Sequence, residues 1–119
     1  MIRFWDFRDI STANNPVFTM YADHTKGESL TAIGTSKDNN YLITGDTAGQ
    51  MKLWNFSNFV FKKDHSMDKI KEEWFIIAHK GMINSIALCE KFDTDKFIIS
   101  ASNDHNIHLH RLSNGVYIG

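Results

Sequence analysis

The chain has 119 residues, 42% hydrophobic and 23% charged, with a formal net charge of −1, the makeup of one globular domain at most. A near-neutral surface offers no long-range field to a polyanion, and Arg3, Arg8 and Arg111 are its only arginines, so neither nucleic acid nor an acidic membrane is an expected partner. No run approaches the roughly 18 apolar residues that span a bilayer, Met1-Ile2-Arg3-Phe4-Trp5-Asp6 is not a secretory signal, and the single cysteine, Cys89, suits a reducing, intracellular and cytoplasmic setting.

Short alternating runs between Gly, Asn, Asp and Ser predict an all-β chain. In order, strands are expected near Ile2–Trp5, Val17–Met20, Ser29–Ile33, Tyr41–Thr44, Gln50–Trp54, Phe75–Ile77, Ile83–Leu88, Phe97–Ser100, Asn106–His110 and Val116–Ile118. Turn residues separate them, among them Thr47-Ala48-Gly49, Asn103-Asp104-His105 and Ser113-Asn114-Gly115. Two connections are longer, Phe7–Asn15 and Phe56–Glu73. In the second, Ser66 is placed to cap a short helix with Met67, Ile70 and Trp74 on one side, or the segment is a charged, solvated loop with a marginal helical turn.

The strands repeat. Tyr41-Leu42-Ile43-Thr44 is answered 56 positions on by Phe97-Ile98-Ile99-Ser100, and Gln50-Met51-Lys52-Leu53-Trp54 by Asn106-Ile107-His108-Leu109-His110 at the same offset. A partial third copy, Ile2-Arg3-Phe4-Trp5-Asp6, precedes Met51-Lys52-Leu53-Trp54-Asn55 by 49. Units of this kind bury their faces only against one another.

These copies, with Trp5-Asp6 and Trp54-Asn55 closing two of them and Ala78-His79 opening another, resemble the WD-repeat β-propeller family. The resemblance implies a partial propeller of four-stranded antiparallel blades. Residues 1–21 would end one blade, 22–77 would form a complete blade with an insertion at 56–73, and 78–119 a further blade with its outer strand cut short. That makes about two and a half blades against the usual four to eight, so the chain is expected to be an incomplete propeller. Other proteins, or the remainder of a longer chain, would complete it.

The same resemblance implies a buried polar network in each blade: His24, Thr44 and Trp54 in one, His79, Ser100 and Asp104 in the next. Ala48 occupies the aspartate position of the first, so its anchoring acceptor is expected to be missing. His110 replaces the tryptophan of the second. On paper Ser100, His79 and Asp104 also spell a hydrolase triad, but no Gly-x-Ser-x-Gly elbow accompanies Ser100, and no catalytic residue is assigned. His105, His108 and His110 suggest a metal module, but further ligands at usable spacing are absent from the sequence; no metal or cofactor is expected.

In the insertion, Lys62, Lys63, Lys69 and Lys71 are balanced by Asp64, Asp68, Glu72 and Glu73, a solvated face. Phe59, Phe61, Lys62, Lys63, Met67, Ile70 and Trp74 are the candidate partner contacts, the aromatics serving either a partner or the propeller's own rim. The expected function is a non-catalytic protein-interaction scaffold. The insertion and incomplete networks resemble large cytoskeletal and ciliary (axonemal) proteins of the family.

Overall fold

Nine strands form among the residues described by the computed structural model, namely 1–4, 18–22, 24–60, 67–90 and 96–119. They are β1 (Ile2–Phe4), β2 (Phe18–Met20), β3 (Leu30–Thr35), β4 (Tyr41–Asp46), β5 (Gln50–Asn55), β6 (Lys71–Ile77), β7 (Ile83–Cys89), β8 (Phe97–Ser102) and β9 (Ile107–Arg111). Consecutive strands pair antiparallel into three sheets ordered β1-β2, β3-β4-β5-β6 and β7-β8-β9. The 56-residue repeat survives in register: Ile43 pairs Leu53 as Ile99 pairs Leu109.

Of the two readings of the β5–β6 connection, a short helix or a loop with a marginal helical turn, the described residues hold one 3-10 turn, Met67–Lys69, closed by the Ile70 amide donating to Met67 O (3.0 Å). Ser66 lies outside the described residues. β6 then starts at Lys71, four residues ahead of expectation. Lys71, Glu72 and Glu73 have little intrinsic β preference, but β5 offers a free edge, and pairing Asn55 with Lys71 and Trp54 with Glu72 decides the matter. Charged side chains suit an edge strand, where they discourage further pairing. The Asn55 amide donates to Glu73 (3.0 Å) across the pair.

The expected last strand is only partly regular. His110 bridges Tyr117, and backbone bonds join Arg111 N to Val116 O (2.9 Å) and Ile118 N to Leu109 O (2.7 Å).

Alternation gives each sheet two apolar faces, and two cores result. Phe18, Met20, Ala22, Leu42, Trp54, Phe56, Phe59 and Ile70 fill the space between the first and middle sheets. Ile43, Met51, Leu53, Ala78, Ile83, Ile86, Ile98 and Leu112 fill that between the middle and last. Each large aliphatic so buried stabilises by roughly 1.5–3 kcal/mol. The far face of the last sheet has no such cover: Ile99 is 40% and Ile107 71% exposed.

The β4–β5 and β8–β9 turns put Gly49 (φ 85°) and His105 (φ 71°) at the same repeat position, both in the left-handed region. Glycine is at ease there; histidine is strained by about 1 kcal/mol. His105→Gly should therefore raise stability by about 0.5–1 kcal/mol, read as a higher urea midpoint at unchanged slope. No gain would show that the turn holds His105 by contacts glycine lacks.

Candidate functional site

Each complete hairpin carries a hydrogen-bonded relay from a turn aspartate into the sheet. In the middle sheet His24, just ahead of β3, donates from Nδ1 to Asp46 Oδ2 (2.8 Å). The Thr44 hydroxyl donates to His24 Nε2 (2.6 Å), and the Trp54 indole N–H donates to Thr44 Oγ1 (3.1 Å). One neutral tautomer satisfies all three bonds. Asp46 Oδ1 also accepts the amides of Ala48 (2.9 Å) and Gln50 (2.8 Å).

The acceptor thought lost with Ala48 is therefore present. It comes from Asp46, two residues earlier, because a carboxylate opening the turn can bond the amides two and four residues on and still face the histidine. The signal was in the sequence: Gly45-Asp46-Thr47-Ala48-Gly49 is an aspartate leading a tight glycine turn. Burial of His24 holds its pKa below the ordinary 6.5, outweighing the Asp46 hydrogen bond and charge that raise it.

In the last sheet His79 Nδ1 lies 3.0 Å from Asp104 Oδ2, and the Ser100 hydroxyl donates to His79 Nε2 (2.8 Å). Asp104 caps the Lys80 amide (3.0 Å) and the Asn106 amide (2.9 Å). Desolvation works against its charge, but these amides and the His79 ring prevail and hold the carboxyl far below its ordinary range. Two residues thus divide the work that Asp46 does alone, since Ser102 Oγ takes the Asp104 amide (3.1 Å). His110 occupies the position of Trp54 but supplies no equivalent N–H; its buried Nδ1 has no hydrogen-bond partner.

The family model described as "WD domain, G-beta repeat" matches residues 14–55 and 71–111, well over half of the chain. The chain belongs to the WD40 repeat family. WD40 repeats form interaction scaffolds and are generally non-catalytic, and the break between the two matches falls in the β5–β6 connection. Here Ser100 and Thr44 are wholly buried, and their hydroxyls serve the fold as polar groups satisfied internally.

Of the candidate contacts in this WD40 connection, Phe61, Lys62 and Lys63 lie outside the described residues, as do Trp5, Asp6 and the Phe7–Asn15 segment. Phe59 and Ile70 are buried in the first core, the self-packing alternative for this region: Phe59 packs on Phe18 with centroids 4.6 Å apart. Met67 is half-buried against the same core. Trp74 is also half-buried, donating its indole N–H to Leu112 O (2.9 Å) with Gly115 against its ring. Phe59 and Ile70 thus pack wholly on the chain's own rim, and Met67 and Trp74 in part.

Nor do the three clustered histidines converge. His105 is exposed in its turn, and His108 stacks on His79 (4.4 Å, 15°) while its Nδ1 donates to Ala78 O (3.0 Å). No group of three metal-binding side chains assembles among the described residues. Lys52 escaped the sequence reading: it is buried, with Nζ 3.5 Å from Glu72 and 4.9 and 4.8 Å from the Trp54 and Phe75 rings, a cation held by two aromatic faces and a carboxylate. Among the described residues, no helix is long and apolar enough to cross a membrane.

Proposed function

We propose that this chain is a non-catalytic, intracellular protein-interaction scaffold, a stretch of WD40 propeller whose open sheet faces are covered by other proteins or by further propeller blades. The uncovered face of the last sheet carries the reading. Ile99 and Ile107 on that face are exposed while their repeat counterparts Ile43 and Met51 are 0% exposed. Large apolar surface left in water is a contact surface waiting for its partner. The net charge of −1 favours neither nucleic acid nor membrane.

Within this reading the chain serves a structural assembly of the cytoskeletal or ciliary kind, cytoplasmic rather than secreted. The long β5–β6 connection supports that setting, as does a single cysteine, Cys89. The incomplete networks no longer do, since Asp46 completes the middle one.

Ile107→Asp tests the scaffold reading. At 71% exposure the change should leave the stability of this stretch by itself within about 0.5 kcal/mol but disrupt whatever covers the face in the native protein. Sizing the protein from its source should show a mass above 13.7 kDa that the substitution lowers where another protein covers the face; where further blades of the same chain cover it, the mass stays and the unfolding midpoint falls. A native species of 13.7 kDa, or a native protein in which the aspartate changes neither mass nor unfolding midpoint, would overturn the proposal.

A further inference from the structure

The seam between β9 and the segment after it is held by little except backbone. Arg111 N bonds Val116 O, Ile118 N bonds Leu109 O, and Leu109 N bonds Gly119 O (2.7 Å). Val116, Tyr117 and Ile118 are each 44% exposed or more, so apolar burial adds little. What the segment covers is a set of imidazoles. Tyr117 meets His108 edge-on (centroids 5.0 Å) and His110 likewise (5.5 Å). His108 in turn lies 6.2 Å from His110 and 4.4 Å from His79.

The three rings differ in what a proton would meet. His79 has the Asp104 carboxylate on Nδ1, and His108 has a carbonyl. His110 is 3% exposed, and its Nδ1 has no partner. As a neutral ring it leaves one acceptor unused, which costs little. Protonated there, it would bury a charged donor with no acceptor, and that is expensive unless water enters.

We propose that this seam is a pH-sensitive clasp, closed over a neutral His110 and released when His110 takes a proton. The groups facing His110 support this from each side. Within β9 there is His108, and Arg111 points to the opposite face by strand alternation. The β6–β7 loop contributes His79, and the segment contributes the phenol ring of Tyr117. β8 contributes Ile98, paired with His110, and the hydroxyl of Ser100. Asp104, the carboxylate of this group, reaches the cluster only through His79. Burial, then the charges of His108 and His79, push the His110 pKa below 6.5.

The sign follows. A histidine depressed in the folded state stabilises the closed form fully above 6.5, and that contribution is lost as pH falls below this value. Opening lifts Tyr117 away and lets water solvate the imidazolium. Such a clasp would expose the backbone edge of β9 in an acidic setting and hide it at neutral pH.

Amide hydrogen exchange on the full chain tests this between about pH 7.5 and about pH 5, the span over which imidazoles titrate. After correction for intrinsic rates, the Leu109, Arg111 and Ile118 amides should open up to about tenfold more per pH unit below 6.5. β7 and β8 should stay protected. In His110→Trp, which places at this position the residue found at Trp54, the pH dependence should vanish. Equal protection at both ends of the range, an unchanged rise in His110→Trp, or simultaneous exchange of the whole sheet would overturn the proposal. Should His110→Trp not fold, NMR titration of the native His110 ring decides: protonation in step with seam opening supports the clasp, and protonation with the seam still protected refutes it.

Discussion

Asp46→Ala should destabilise the chain by about 3 kcal/mol or more, although sequence alignment within the chain gives that residue no special place. Its carboxylate is fully buried and takes three donors: the ring N–H of His24 and the amides of Ala48 and Gln50. The two amides belong to half-buried residues at the turn, where water can reach them. The His24 side chain is only 1% exposed, and its ring N–H has nowhere else to go. Each buried donor left without an acceptor costs about 1–3 kcal/mol, and the turn loses its organiser as well. Asp46→Asn keeps an acceptor for the amides and should cost less, about 1–2 kcal/mol, through loss of the charge-assisted bond. Ala48→Asp should give no gain, since the histidine is already occupied. Urea midpoints at constant slope check the series. An Asp46→Ala protein as stable as the parent would show that the middle relay is decoration and that packing alone holds this sheet.

The difference between what was legible and what was not has a physical pattern. Strands β3, β4, β5, β7, β8 and β9 were legible because each is a short apolar or alternating run bounded by turn residues, and such a pattern is a local property. The start of β6 was not. Lys71, Glu72 and Glu73 form a strand because β5 needs a partner, and that need is nowhere in those three residues. Likewise Phe59, Ile70 and Trp74 carry the composition of either a contact surface or a core, and only the position of Phe18 and Leu112 beside them separates the two. The relay histidines were legible through the repeat, whereas Asp46 was missed because strict alignment puts Ala48 opposite Asp104. A carboxylate moved by two positions along a turn can reach the same ring, and a fixed offset has no room for such a shift.

The second large effect lies at the next turn residue, where the two sheets touch. Gly49 has φ 85°, and its carbonyl accepts the amides of Ala78 (2.9 Å) and His79 (3.0 Å). A Cβ there would stand 2.1 Å from His79 O, 2.7 Å from His79 C and 2.8 Å from Gly81 O. All three are backbone atoms, so no rotamer change relieves them. Gly49→Ala thus combines a left-handed alanine, at about 1–2 kcal/mol, with a collision that must push the β4–β5 turn off the loop carrying His79. The expected loss is at least about 4 kcal/mol, at the extreme of single substitutions. Gly27→Ala is the control. Its φ is 90° but nothing lies within 4 Å of the added carbon, so it should lose only about 1 kcal/mol. Thermal unfolding ranks the two, and exchange at the Ala78 and His79 amides locates the damage. Equal losses would mean that backbone strain alone matters at these turns. Unequal losses, with the Ala78 and His79 amides unprotected only in Gly49→Ala, would mean that the turn organised by Asp46 holds His79 in reach of Asp104 and Ser100, coupling one relay to the next through a single residue without a side chain.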